Sequence, residues 1–339
     1  MTAQSPRALS RIVQFTEFGE PDVMKIVEVE APFPGNDEVL VRMKAIGLNR
    51  SESMIRRNEY IVEVSLPSML GSEGAGVVEA IGKNVTNVKV GDRVAVVHPF
   101  GLGTVPIYGD EAVVPKHTVI VQPDFLSFEE AASLWVMLLT PYGALIEDAK
   151  IQPGEFVLIS AASSSTGIGA IQLANMAGAI PIALTRTSAK RQQLLDAGAR
   201  HVVAFEEVDL VAEIMALTDG QGARVAFDAV GGELLPKLTK AMALKGTLYV
   251  YGWLGGSAMV TSAQDQIARM LTTKGWTIVD TLLDPDRLKA ATEFVIAGLA
   301  EGILSPVIDR VFAFEEIVEA NRYLEASQQI GKIVAKVEA

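Results

Sequence analysis

Over about the first 120 residues, apolar and polar positions alternate in short runs broken by Pro, Gly and Asn: RIVQF, MKIVEVE, EVLVRMKAIG, GVVEAIG, DRVAVV and EAVVP. Alternation at period two predicts strands with one buried face. This part therefore reads as a barrel-like or sandwich-like β domain, with one helical insertion over 49–57.

From Phe128 the rhythm changes. Apolar runs FVLIS, PIALT, HVVAF, ARVAFD, TLYVYG and WTIVD alternate with longer helical segments such as SAKRQQLLDAGA, where Ser188 can cap the start and Gly198 can end it. Strands this hydrophobic, separated by helices, predict a parallel sheet covered on both faces. After a helix over 286–300, the runs VIDRVF and GKIVAKV are expected to return to the first domain. The fold class is α/β, a doubly wound parallel sheet joined to a β-rich domain.

Composition narrows the chemistry. A chain of 339 residues exceeds one comfortable core, which predicts two domains. The net charge of −12 and the lack of a long Lys/Arg run argue against a nucleic-acid partner. Cysteine is absent, which removes disulfides, thiolate nucleophiles and cysteine-based metal sites. Three histidines remain, His98, His117 and His201. Residues 156–185 contain no charged side chain, but SSST in the middle and the following Gln172 and Asn175 read as buried strand, loop and helix, not as a membrane span. The N-terminus lacks a signal-peptide pattern, so a cytoplasmic protein is expected.

The loop AASSSTGIG over 161–169 follows the strand FVLIS and opens a helix of small residues. That is the strand, tight turn and helix of a dinucleotide-binding unit, in which three small residues allow the turn, the approach of a pyrophosphate and close helix packing. Here those places fall to Ala162, Ser164 and Gly167. Ser164 can donate to a phosphate oxygen, and the helix start at Ser165 and Thr166 adds N–H groups and partial positive charge. An ordinary Ser-rich turn would look similar. The second strand, however, ends in Thr185 and Arg186, with Lys190 beyond. An NAD site would place a carboxylate there; a cation among hydroxyls suits the 2′-phosphate of NADP.

The motifs AIGLNRSESM, GSEGAGVVEAIG, VTNVKVGDRV, the 161–169 loop, AFDAVGGELL and GKIVAKV occur in this order. Together they resemble the medium-chain dehydrogenase/reductase superfamily, most closely its zinc-free quinone oxidoreductase branch, from about residue 11 to 337. The resemblance implies a GroES-like catalytic domain at 1–128 and 305–339, a Rossmann domain at 129–304, an active site in the cleft between them, and pairing into a homodimer. Asn49, Ser72 and Val136 stand where zinc relatives would carry their ligands, and none is a convincing one.

Without a metal Lewis acid, hydride transfer from NADPH to a quinone or an α,β-unsaturated carbonyl is easier than alcohol oxidation. The substrate is therefore expected to be a small molecule. The resemblance places Asn49 and Tyr60 beside the substrate oxygen, while Met54 replaces a second tyrosine. It places Thr140 under the nicotinamide, Val230 in DAVG under the adenosine half, and Gly252 near the nicotinamide. Phe205 stands where relatives often carry a tyrosine. Glu73 anchors the GSEGAG loop. The resemblance also brings His98 near the cleft as a candidate proton shuttle. Asn49 could instead cap its helix, Thr140 could bond its own backbone, and His98 could be a surface group. A metal-free alcohol or carbonyl reductase, or an NADPH-binding protein without turnover, are the competing functions.

Overall fold

The computed structural model describes residues 9–97 and 101–338. His98 lies outside the described residues. Along the chain, strands β1 (Leu9–Phe15), β2 (Lys25–Glu30), β3 (Glu38–Gly47), β4 (Ser68–Met69), β5 (Glu73–Ile81), β6 (Arg93–Val97), β7 (Glu111–Pro115) and β8 (Val119–Val121) come first. Six more follow: β9 (Phe156–Ile159), β10 (Ile180–Thr185), β11 (His201–Ala204), β12 (Ala223–Asp228), β13 (Met242–Val250) and β14 (Thr272–Gly275). The chain ends with β15 (Ile308–Ala313) and β16 (Lys332–Lys336). Two compact units result, Met1–Val136 with Pro306–Ala339, and Met137–Ser305.

In the first unit β3 is the hub. It pairs antiparallel with β5 and β7, and its C-terminal end also pairs antiparallel with β16. The sheet runs β15-β16-β3-β5-β6-β8, with β7 alongside β3 and a separate β2-β1-β4 sheet. Inward residues of the alternating strands, Val39, Val41, Met43, Val94 and Val96, form one apolar core with Phe15, Ile107 and Phe314. Removing such side chains from water is the main stabilising term, about 1.5–3 kcal/mol each.

The second unit is an all-parallel sheet in the order β11-β10-β9-β12-β13-β14. Its central strand β9 buries Val157, Leu158 and Ile159 completely, as expected of a strand covered on both faces. The strand order reverses between β10 and β12 around β9, and that switch point is where ligands bind such sheets, at the carboxyl ends of the strands.

Most predicted strands lie within a few residues of their expected places, with one correction. The sixth strand of this sheet is Thr272–Gly275, not WTIVD. An edge strand pairs on one side only, so TTKG needs no apolar run, whereas Trp276 and Ile278 turn inward and the helix Val279–Leu282 begins. The segment over 188–198 is also split. Ser188 opens a 3-10 turn instead of capping with its side chain, the helix proper is Arg191–Asp196, and Gly198 leaves it at φ 100°. Among the described residues no helix is long and apolar enough to cross a membrane.

The helix Ser165–Met176 packs through its small residues. A Cβ added to Gly169 would stand 2.2 Å from the Met137 carbonyl oxygen. Alanine improves helix propensity by about 1 kcal/mol, but a rigid backbone contact cannot yield and overpacking typically costs about 1–3 kcal/mol. Gly169→Ala should therefore lower the melting temperature by several degrees in calorimetry; an unchanged or higher value would mean that propensity outweighs the contact.

Candidate active site

In the first unit, β3 carries the chain to Gly47 and on to the helix Arg50–Arg56, with Asn49 at its N-cap position in extended geometry. The Asn49 side chain does not cap the helix. Its Oδ1 accepts from Lys332 Nζ at 2.7 Å, and its Nδ2 donates to Gly47 O at 3.1 Å and to Glu73 Oε1 at 3.2 Å. A flipped amide would set NH₂ against the ammonium and oxygen against the carboxylate, so this orientation is fixed. Glu73 accepts from Lys332 Nζ on Oε1 and from the Val136 backbone N–H on Oε2 at 3.0 Å. Glu73 does anchor its loop, and it does so as one half of a buried ion pair, with side-chain exposures of 0% and 1%.

Strand register explains how the pair meets. Gly47 is opposite Glu73 on one side and Val334 on the other, so Lys332 and Glu73 reach toward each other over the Gly47 backbone. A Cβ there would lie 2.9 Å from both Glu73 Cγ and Lys332 Cε, and 2.0 Å from Ala132 O. Only glycine leaves that passage open.

Beneath this cluster lies a second buried carboxyl. Glu52 Oε2 accepts from the Asn49 backbone N–H at 2.8 Å and from Tyr108 Oη at 2.5 Å. Burial raises the Glu52 pKa, against the opposing effect of those bonds and of the Lys332 charge. Tyr60 is half-buried against the apolar core, and its pKa is raised by desolvation and by the nearby Glu52 charge, so the phenol keeps its proton. Met54 is also partly exposed, and Ser72 is buried.

In the second unit, the turn after β9 runs through Ala161 at φ 44°. Ser164 is the N-cap of the helix Ser165–Met176, and its Oγ accepts from the Gly167 N–H at 3.0 Å. The first i to i−4 bond of the helix is Ile168 N–H to Ser164 O. The N–H groups of Ser165 and Thr166 precede it, and in a helix first turn such groups suit an anion. A Cβ on Gly167 would meet Ala161 O and Ala162 at 2.7 Å, so the tight turn requires glycine there.

Strand ends converge on this turn. Ser160 Oγ accepts from the Ala229 N–H at 2.8 Å, tying the end of β9 to that of β12. Asp228 accepts from the N–H groups of Val230 at 3.1 Å and Gly231 at 2.8 Å, shaping the loop, and burial raises its pKa. Gly252 passes so close that a Cβ would lie 2.8 Å from Ala229 O. Thr185 ends β10, Arg186 follows it, and Lys190 Nζ reaches Ser163 Oγ at 3.3 Å, so the cation and the turn lie side by side. Thr140 is buried, its carbonyl accepts from Trp276 Nε1 at 3.0 Å, and the helix widens into π-type turns over Tyr142–Asp148 just after it.

Comparison with known proteins gives this geometry a family. Residues 35–124 match the alcohol dehydrogenase GroES-like domain, and residues 165–297 match the family described as zinc-binding dehydrogenase. Human quinone oxidoreductase is 30% identical over 328 residues, covering 96% of this chain and 97% of that protein. The chain belongs to the medium-chain dehydrogenase/reductase superfamily, in its quinone oxidoreductase-like branch. A Pseudomonas aeruginosa quinone oxidoreductase is also 30% identical, over 96% of this chain and 99% of its own. The crystal structure of Escherichia coli quinone oxidoreductase complexed with NADPH superimposes with a TM-score of 0.90 at 28% identity, covering 96% of this chain and 99% of that one. The expected GroES-like and Rossmann-type architecture is that of the protein.

The zinc in the second description does not fit the residues present. Val136 offers no side-chain donor, Asn49 Oδ1 is bonded to an ammonium, and that ammonium would repel a dication. Among the described residues no group of three or more His, Cys, Asp or Glu side chains could hold a metal. Lys332 and Glu52 were not singled out from sequence. The one available signal was a lysine opening an otherwise apolar strand, KIVAK.

Removing one partner of a buried pair leaves an uncompensated charge and typically costs about 3–5 kcal/mol. Lys332→Met should therefore destabilise strongly, and Lys332→Met with Glu73→Gln should recover part of the loss in denaturant titrations. Additive losses would show that the pair is not coupled. Glu52 has its own signature. Because its pKa is higher in the folded state, the proton stabilises the fold below the unfolded value of about 4.3, and this contribution is lost as pH rises through the folded value. The stability of the native protein relative to Glu52→Gln should thus fall as pH rises above about 4.3; a flat difference would contradict the assigned cause.

Proposed function

We infer that the protein is an NADPH-dependent oxidoreductase that delivers hydride to a quinone or to the β-carbon of an α,β-unsaturated carbonyl, with no metal ion. The observation that carries the metal-free part is Lys332: an ammonium bonded to Asn49 and paired with Glu73 stands among the positions where zinc relatives would keep their ligands. The likeness to quinone oxidoreductases and the NADPH of the Escherichia coli structure support the cofactor and the substrate class.

The turn fits a dinucleotide. Ser164, Ser165, Thr166 and Gly167 would hold the pyrophosphate, Thr185, Arg186 and Lys190 the 2′-phosphate, and Val230, Gly252 and Thr140 the remaining length. Bound there, NADPH supplies the hydride. When hydride adds to the β-carbon of an enone, the C=C pair shifts and negative charge arrives on the carbonyl oxygen, to be neutralised by a proton from solvent. A donor aimed at that oxygen lowers the barrier. Asn49 would have to release Gly47 O or Glu73 Oε1 to serve, and Tyr60, whose raised pKa keeps the hydroxyl protonated, is the second donor that the family resemblance puts beside that oxygen.

The test follows NADPH consumption with quinones, enones, aldehydes and alcohols in the presence of a chelator. Quinones or enones should respond and the chelator should change nothing. Tyr60→Phe should lower kcat by about 100-fold with NADPH affinity nearly intact. Arg186→Asp should weaken NADPH by about 100-fold and leave NADH within a few-fold, because a charge-assisted bond contributes about 1.5–3 kcal/mol. Turnover of alcohols alone, activity lost to the chelator, or equal loss of both cofactors would overturn the reading.

A further inference from the structure

The segments that leave β10 and β11 are zipped together. Phe205 N–H donates to Thr185 O at 2.9 Å and Glu206 N–H to Arg186 O at 3.1 Å. Beyond these rungs the zipper changes chemistry. Ser188 donates to one oxygen of Glu207 twice, from its backbone N–H at 2.9 Å and from its hydroxyl at 3.2 Å. Ser188 and Glu207 are both exposed, so the contact is made in water and can be exchanged.

Ser188 stands two residues from Arg186 and two from Lys190, inside the stretch assigned above to the 2′-phosphate. Its N–H and O–H are a ready pair of donors for an anion, and a carboxylate of the chain already occupies them. We propose that Glu207 is a specificity-determining residue that holds down the preference for NADPH over NADH. A 2′-phosphate brings close to two negative charges to this place. To bind, it must share or displace the Ser188 donors and tolerate the Glu207 charge, while NADH brings no such group and meets neither cost. Arg186 and Lys190 thus attract the phosphate against an opponent built into the neighbouring strand end. The inference rests on the cofactor reading given above.

The test measures binding of 2′,5′-ADP and 5′-AMP, which differ by that phosphate alone, to the full chain by calorimetry. Glu207→Gln keeps an oxygen for Ser188 to bond and removes only the charge, so the fold is retained. It should tighten 2′,5′-ADP about tenfold and leave 5′-AMP within about twofold. The gain should shrink as salt rises from about 50 to 500 mM, since exposed charges are screened. Glu206→Gln makes the same change in net charge one residue away, where the backbone but no side-chain bond joins the zipper, and should give less than a third of the effect. Unchanged 2′,5′-ADP affinity in Glu207→Gln, or an equal gain in Glu206→Gln, overturns the proposal. If the native protein binds 2′,5′-ADP no better than 5′-AMP and only Glu207→Gln prefers it, the cofactor reading fails and the role of Glu207 stands. If neither form binds 2′,5′-ADP, both fail.

Discussion

A lysine and a glutamate that meet over the backbone of one glycine set the arrangement of the first unit. Burying two charges costs several kcal/mol per ion unless each is paired and its remaining hydrogen-bonding capacity is used. Glu73 meets that condition with Lys332, Asn49 and the Val136 N–H, and Lys332 gives two of its three N–H donors to Glu73 and Asn49. Three strands must be in register for this to happen, because β16, β3 and β5 each contribute one element of the crossing. A slip of one residue in any of them would turn a charge into the apolar core or out into water. The pair is thus poor evidence for stability in itself and good evidence for uniqueness of register, which is what a site needing fixed positions requires.

The same crossing decides what Asn49 can do. A carboxamide with both N–H groups and its oxygen engaged is a rigid strut, and its dipole cannot turn to follow a substrate. Rigidity has a catalytic use: a fixed charge and fixed dipoles need not reorganise when charge develops nearby. The proposed division of labour follows, with Lys332, Glu73 and Asn49 as a preset electrostatic frame and the phenol of Tyr60 as the group that makes the bond.

The sequence was legible where local pattern dominates. Period-two runs marked β1, β3, β6 and β7, unbroken apolar runs marked β9 to β12, and the 161–169 turn stood out because helix start, small residues and strand lie adjacent in the chain. It was illegible where the determinant is distant. Lys332 and Asn49 are 283 positions apart, and Gly47 looks like any strand-end glycine until β16 is laid beside it. The edge strand Thr272–Gly275 was overlooked for a related reason: pairing with β13, and not burial, makes it a strand. Glu207 belongs with these, since nothing in EEVD announces a bond to Ser188 across two strand ends.

The two units also treat their cations in opposite ways, and the difference matches the role proposed for each. Lys332 is withdrawn from water and fully compensated, so its field is short-ranged, constant and insensitive to salt. Arg186 is exposed and Lys190 only partly covered, each next to hydroxyls, and a carboxylate stands close by. Charges held that way discriminate by a balance of attraction and repulsion in a high dielectric, where each contact contributes on the order of 1 kcal/mol. A reaction step that must happen identically every time is served by the first arrangement. A choice between two cofactors that differ by one phosphate is served by the second, because a single exposed side chain can shift the balance without disturbing the turn that both cofactors share.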